Sequence, residues 1–402
     1  MLLHSIQLKN FLSYGPETPP LKLENLNIII GPNGSGKSNL LEAVALLKTT
    51  PQELVRPIRL GGSVRDWLWK GSSELPVASL EVVVDTSDTP VIKSTPVIKK
   101  PLRYRFDFTE TGKRFEIVDE RIEYSEPFPG EEGPFFFYKY ENNNPIINVN
   151  TLGKKGWKER RLTRETIDPE KSILAQRYDP DTYLELSYLV DKFKAIRIYR
   201  DWTFGPMASV RQPQTFDVPG ATLADDMSNL ARILSSIKKE HTAHAKMLEF
   251  LSAAYEGLDG FDFDIASGKA EIYIREGHIN IPVTRLSDGT LRLLCLLPVL
   301  CDPSPPPLIC IDEPELGLHP DVINMMADAL RYASERTQLI VTTHSPGLVD
   351  AFNDTPEAII VCEKQDHCTT MSRLEPEDLT PWLEDYRLGD LWARGHIGGN
   401  RW

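Results

Sequence analysis

Cysteine is scarce: the 402-residue chain has five, at positions 295, 301, 310, 362 and 368. An odd number, with three in strongly apolar segments, argues against a disulfide framework, because a reduced thiol there behaves as a small hydrophobe. Cys362 and Cys368 flank His367, but that spacing matches no paired zinc motif and offers no fourth ligand. Long apolar runs are also missing. The stretch Leu293–Leu297 stops at Pro298, far short of the roughly 20 residues a spanning helix needs, so no membrane segment is expected. Basic residues are outnumbered, 45 against 58 acidic, giving −13 at neutral pH. A general field that attracts nucleic acid or anionic lipid is thereby excluded, and any such binding has to be local. The amino terminus, MLLHSIQLKNF, alternates like a strand and lacks the basic start, apolar stretch and small-residue cleavage site of a secretion signal. A cytoplasmic location is expected.

What is present is an ordinary globular balance, 41% hydrophobic and 26% charged, in a chain long enough for two or three cores or one domain with a large insertion. Residues 1 to 30 read as two short strands around a Pro-rich turn, the second being the continuous apolar LNIII of a strand buried on both faces. A glycine-rich turn and a helical pattern from Ser38 to about Lys48 follow. From Val77 to Tyr140 the period is two, as in an antiparallel meander; it contains TPVIK twice, at Thr89–Lys93 and Thr95–Lys99, read as an extended hairpin tip. Asn142 to Pro180 is polar and reads as irregular, an inserted loop or small lobe. It carries the densest basic cluster: Lys154, Lys155, Lys158, Arg160, Arg161 and Arg164, with Trp157 among them and Glu159 and Glu165 interleaved. Helical periodicity returns at Thr182–Phe193, Leu223–Lys239 and Ala245–Tyr255. Two short strands lead to Leu286, and then helix, strand, helix and strand alternate, which implies a parallel sheet covered by helices. The expected division is 1–90, a β-rich and basic insertion at 91–190, and 191–402.

Four segments carry chemistry. Gly31-Pro32-Asn33-Gly34-Ser35-Gly36-Lys37-Ser38 fits G-x-x-x-x-G-K-[ST], directly after an apolar strand and before a helix. There backbone N–H groups can wrap a phosphate, the helix dipole adds positive potential, Lys37 reaches the β- and γ-phosphates, and Ser38 can ligate magnesium. Pro307-Leu-Ile-Cys-Ile-Asp312-Glu313 is an apolar strand ending in two carboxylates, placing Asp312 for a metal and Glu313 for an attacking water. The strand QLIVTT ends at His344, on the same sheet edge as Asp312 and able to hydrogen-bond a γ-phosphate. Leu286-Ser287-Asp288-Gly289-Thr290 opens a helix; Ser287 is at least an N-cap, and Gly289 permits the close approach a second anion site needs.

Together these segments resemble the ABC-type ATPase heads of the SMC and RecF branch, most of all the compact bacterial ATPases related to the ATPase half of OLD nucleases. GPNGSGKS resembles Walker A, LSDGT the signature, ICIDEPELGLHP Walker B with its D-loop, and THSP the switch histidine. The resemblance covers roughly 1–90 and 190–402 and implies an α/β P-loop fold: a mixed, mainly parallel sheet with helices, an antiparallel β lobe and a helical lobe. It implies ATP and Mg2+ as cofactors, with Gly31 to Gly36, Lys37, Ser38 and Asn39 around the nucleotide and Ser38 and Asp312 on the metal. Glu313 and His344 would then be catalytic together with Lys37. Ser287 and Gly289 would contact the nucleotide of the opposite subunit, so that two heads close over two ATP molecules as a homodimer.

Departures limit the carry-over. No clear Q-loop glutamine is present: Gln52 comes too soon, and DWLWKGSSE around Lys70 is the expected loop. No extended heptads separate the halves, and no carboxylate-rich nuclease region follows His344. The expectation is a motor that switches DNA metabolism or phage defence through a separately encoded nuclease, with DNA contact at Lys154–Arg164. A transporter ATPase subunit and a non-catalytic ATP-binding scaffold are weaker readings. The last stretch, LGDLWARGHIGG, resembles the tails of stand-alone relatives and has no physical account at this level.

Overall fold

The computed structural model describes residues 1–72, 74–87, 100–141, 144–150, 157–162, 167–217, 220–383 and 385–399. The chain opens with β1 (Leu3–Lys9), a two-residue β2 (Leu21–Lys22) and β3 (Leu26–Ile30), one strand more than the sequence pattern suggests. The glycine loop then leads into α1 (Lys37–Thr49) and the short α2 (Val55–Leu60) and α3 (Val64–Trp67). Six strands follow: β4 (Ala78–Val84), β5 (Leu102–Thr111), β6 (Arg114–Tyr124), β7 (Phe136–Glu141), β8 (Asn144–Asn150) and β9 (Trp157–Arg161). After α4 (Ile173–Gln176) and α5 (Leu184–Ala195) come β10 (Arg197–Tyr199) and β11 (Gln214–Thr215). Helices α6 (Leu230–Lys239) and α7 (His241–Ala254) precede β12 (Leu258–Ala266), β13 (Lys269–Glu276) and β14 (Ile279–Pro282), again one strand more than expected. The remainder alternates: α8 (Asp288–Leu300), β15 (Leu308–Asp312), α9 (Ile323–Ser334), β16 (Gln338–Thr342) and α10 (Pro346–Asp350). It finishes with β17 (Ile359–Gln365), β18 (Cys368–Arg373), α11 (Pro376–Leu383) and α12 (Leu388–Ala393).

The chain divides into two compact units. The first comprises the described residues of Met1–Glu24, Pro32–Ile196 and Cys362–Ser372. Its antiparallel sheet runs in the order β2-β1-β4-β5-β6-β7-β8-β9. Alternation builds it: along β4, Ala78, Leu80, Val82 and Val84 are buried while the residues between them are partly exposed. On β5, Tyr104, Phe106 and Phe108 point the same way and are fully buried, with ring centroids 5.8 and 6.0 Å apart. Within the segment read as irregular, residues 144–150 and 157–161 form β8 and β9, which extend this meander. Its pattern is hard to see because Ile147 is the fully buried position in a strand otherwise interrupted by Pro145, Asn148 and Asn150. The TPVIK copies, Lys154, Lys155 and Arg164 lie outside the described residues.

The second unit comprises the described residues of Asn25–Gly31, Arg197–Val361 and Arg373–Trp402. Its main sheet includes the run β10-β15-β16-β3-β17, five strands parallel to one another. Asn27 to Ile30 of β3 and all of β16 are buried, as apolar runs covered on both faces require. Parallel pairing matches Asp312 with Thr342 and Thr342 with Ile29, so three strands end at one edge. A smaller antiparallel sheet, β11-β13-β12 with β14 on β13, accompanies the helices α6 and α7. The helix read from Leu223 begins only at Leu230: Asn229 accepts from Ala224 N (2.8 Å) and donates to Thr222 O (3.0 Å), holding a turn instead. Among the described residues no helix is long and apolar enough to cross a membrane, and all five cysteines are free thiols.

Candidate functional site

The loop after β3 is shaped by glycine. Gly36 caps α1 with φ 118°, a conformation that L side chains avoid, and a Cβ there would meet the Thr369 side chain and come within 2.9 Å of Ser13 Oγ. Thr369 Oγ1 hydrogen-bonds Ser13 Oγ (2.6 Å) and donates to Ser35 O (2.6 Å), while Thr369 N donates to Ser13 O (2.7 Å). Tyr14 OH donates to Gly36 O at 3.2 Å. These contacts hold one side of the loop against Ser13, Tyr14 and Thr369. Gly34 (φ 79°) faces open space, and Asn33, Gly34 and Ser38 are exposed. Lys37 is buried and its Nζ folds back onto Pro32 O at 3.1 Å. The Asn39 amide is committed to Ser13 Oγ at 2.7 Å. The loop amides lie at the start of α1, where the helix dipole favours an anion.

At the ends of β15 and β16 the two acidic residues take different roles. Asp312 Oδ1 accepts the hydroxyl proton of Thr342. Glu313 adopts the left-handed conformation (φ 46°), which costs a residue with a Cβ about 1–2 kcal/mol, and is held there by Glu313 N donating to Thr342 O (3.1 Å) and Thr342 Oγ1 (3.2 Å). Its carboxylate is thereby turned out of the strand, and Oε1 stands 3.4 Å from His344 Nε2. Both side chains are about one-third exposed. Glu315, not singled out by sequence reasoning, ties the two loops together: its Oε1 accepts from Thr343 Oγ1 (2.5 Å) and from His344 N (3.0 Å). Burial raises its pKa above the ordinary carboxylate value.

Ser287 caps α8, its Oγ accepting from Thr290 N at 3.1 Å. A Cβ on Gly289 would fall 2.5 Å from Gly317 O, so the start of α8 and the turn after Glu313 approach this closely only because residue 289 is glycine. Arg211 and Arg292 serve this segment and carry no motif signal. Arg292, on α8, is buried with its guanidinium 5.3 Å from the Phe204 ring centroid; burial lowers its pKa.

The C-terminal tail acquires a physical account. Gly389 N donates to Asp350 Oδ1 and Leu388 N to Asn353 Oδ1, both at 2.7 Å, so α12 docks on the helix that follows His344. A Cβ at 389 would strike Pro346 O. Trp392 Nε1 donates to Gly399 O at 2.7 Å, and a Cβ on Gly399 would lie 3.6 Å from Gly31 Cα. In the segment read as the Q-loop, Lys70 pairs with Asp66 at 3.2 Å on the surface, and Ser73 lies outside the described residues. Of the basic cluster, Lys158, Arg160 and Arg161 are exposed on β9, the last strand of its sheet.

A glycine-rich loop between a buried parallel strand and a helix, two carboxylates at the end of the next strand but one, and a histidine after the strand between them fit the P-loop fold of an ABC-type ATPase head. The chain belongs to the family described as "AAA domain, putative AbiEii toxin, Type IV TA system", whose model matches residues 26–350. It is 36% identical over 91 residues to the chromosome partition protein Smc of Mycolicibacterium paratuberculosis, a stretch of 22% of this chain and 7% of that one. Against the protein of the same name from Clostridium kluyveri the identity is 31% over 91 residues, with the same shares. The match thus spans about 7% of the length of these relatives. The Smc head bound to the C-winged helix domain of ScpA has the same fold at 16% identity, with 95% of this chain and 100% of that one covered and a TM-score of 0.57. The Smc head with an extended coiled coil from Pyrococcus furiosus, bound to the C-terminal domain of ScpA, gives 15%, 96%, 99% and 0.57.

Proposed function

We propose that this chain binds and hydrolyses ATP with magnesium, closes with a second copy over two nucleotides, and uses the opening and closing as a switch. The Gly31–Gly36 backbone and Lys37 hold the phosphates, and Asn39 braces the loop. Ser38 and Asp312 each offer the hard oxygen that magnesium takes, and the ion, when bound, neutralises charge developing on the phosphates. Glu313 orients the attacking water and draws its proton; His344, beside it, hydrogen-bonds the γ-phosphate. The observation that carries this reading is the Glu313 carboxylate turned out of its strand by a left-handed backbone and set 3.4 Å from His344, an arrangement a scaffold without turnover has no need of. Ser287 and Gly289 act on the nucleotide of the opposite copy.

For the output we propose DNA metabolism or phage defence in the cytoplasm, as for the OLD-related ATPases it resembles, through a separate effector such as a nuclease. The family's description, which speaks of a toxin and a Type IV TA system, supports a defence setting, and the exposed Lys158, Arg160 and Arg161 on β9 support a local contact with DNA. The test is turnover by the purified chain with and without double-stranded DNA. ATP hydrolysis that is stimulated by DNA and abolished in Glu313→Gln is expected; a Glu313→Gln enzyme as fast as the parent refutes the catalytic role, and turnover indifferent to DNA assigns the trigger to a protein partner.

A further inference from the structure

We propose that Arg211 is the positioning residue of the signature segment: it fixes the backbone leading to Ser287 and neutralises Asp288, so that this helix start can meet an anion. This takes residues 286–290 as the phosphate-contacting signature proposed above. Arg211 ends a 3-10 turn, Ser209–Arg211, 77 residues from the aspartate it reaches. One guanidinium spends its donors on five acceptors. Nε donates to Phe204 O (2.7 Å), Nη1 to Val283 O (3.1 Å), Thr284 O (3.2 Å) and Leu286 O (3.0 Å), and Nη2 to Asp288 Oδ1 (2.7 Å). Only arginine has a rigid planar fork that serves acceptors on so many sides; a lysine ammonium has three donors on one point.

The chemistry of Asp288 explains why such a clamp is placed here. Asp288 stands between Ser287 and Gly289, the two residues read as contacting phosphate, and its side chain is 68% exposed while that of Arg211 is 11% exposed. A carboxylate in the first turn suits the dipole of α8, yet an unpaired one there repels an incoming phosphate. Nη2 of Arg211 cancels that charge and also fixes where the carboxylate lies. The opposite wall is held too, since Phe204, whose carbonyl Arg211 grips, packs its ring against the Arg292 guanidinium. Arg211 therefore acts through Asp288 and the 283–286 backbone and touches no nucleotide itself.

The test is made in the full-length chain carrying Glu313→Gln, reading the ATP concentration that gives half-maximal dimer by light scattering, beside the ATP affinity of the monomer. Arg211→Gln is expected to raise the half-maximal concentration about tenfold or more with monomer affinity unchanged, and Arg211→Lys to fall between. Adding Asp288→Asn to Arg211→Gln is expected to recover most of the loss, a charge rescue that a merely structural brace does not give. Should Arg211→Gln fail to fold, Arg211→Lys with and without Asp288→Asn makes the same comparison. Dimerisation of the arginine variants at the parental ATP concentration, or a loss that Asp288→Asn leaves unchanged, overturns the assignment. A Glu313→Gln parent that stays monomeric in saturating ATP overturns the functional reading and this inference with it.

Discussion

Glu315 shows what a single residue does here that no motif announces. Its buried carboxylate accepts from Thr343 Oγ1 and His344 N, so the position of His344 depends on a residue two places beyond Glu313. Glu315→Ala is expected to lower kcat about 10- to 100-fold, in line with what small misplacements of catalytic groups cost, with ATP affinity little changed. Thr343→Val, which keeps the volume and loses the hydroxyl's bonds to Glu315 Oε1 and from Ser345 N, should fall in the same direction by less; steady-state kinetics and nucleotide titration check both. A second buried carboxylate, Glu120, accepts from Ser172 Oγ (2.5 Å), Ile173 N (2.9 Å) and Tyr104 OH (2.9 Å), and burial pushes its pKa from the usual 4.5 to about 7. Between those values the folded chain holds a proton that the unfolded chain has released, so Glu120 makes stability fall as pH rises from about 4.5 to about 7 and level off above. Relative to the parent, Glu120→Gln should gain stability over that window by about 3 kcal/mol, read from denaturant midpoints at several pH values; a parallel pH profile in the two proteins contradicts it. As candidates, Asp312, Glu313, His344 and Lys37 are legible in the sequence because each sits beside a strand or glycine turn that marks it. Arg211, Glu315, Ser13 and Thr369 are not, since their partners are brought to them only by the fold.

At the scale of elements, legibility follows burial. Strands β3, β15 and β16 are nearly continuous apolar runs because they are buried along their length, and their pattern leaves little ambiguity. β8 and β9 evade the same reading because Pro145 and Asn148 occupy buried positions of β8 and Lys158 to Arg161 of β9 are exposed and charged, so neither strand shows a clean apolar alternation. The tail is the element whose purpose becomes visible only in three dimensions. The leading turn of α12 fits against α10 where a side chain at residue 389 would collide with Pro346 O and lie 2.7 Å from Asp350 Oδ1. Gly389→Ala is therefore expected to displace the turn that follows His344, lowering kcat and destabilising the chain by about 1–3 kcal/mol, the usual range for forced overpacking. Unchanged kcat and denaturant midpoint in that variant would show that the tail docks without bearing on the switch.

For the molecule as a whole, the parallel sheet explains why residues 30, 312 and 342 can serve one chemistry: strands that run the same way end together. The signature segment, Ser287 to Thr290, opens a helix in the same unit, and its proposed target is the nucleotide on another copy. Closure by ATP is thus the claim on which the roles of Glu313, Ser287 and Gly289 converge. It is tested most directly by the solution mass of the Glu313→Gln chain with and without ATP, beside the same chain carrying Ser287→Arg. The account predicts a mass that doubles only with ATP and a Ser287→Arg variant that binds ATP and stays monomeric; an unaltered mass in saturating ATP, or a Ser287→Arg chain that doubles as readily, would contradict it.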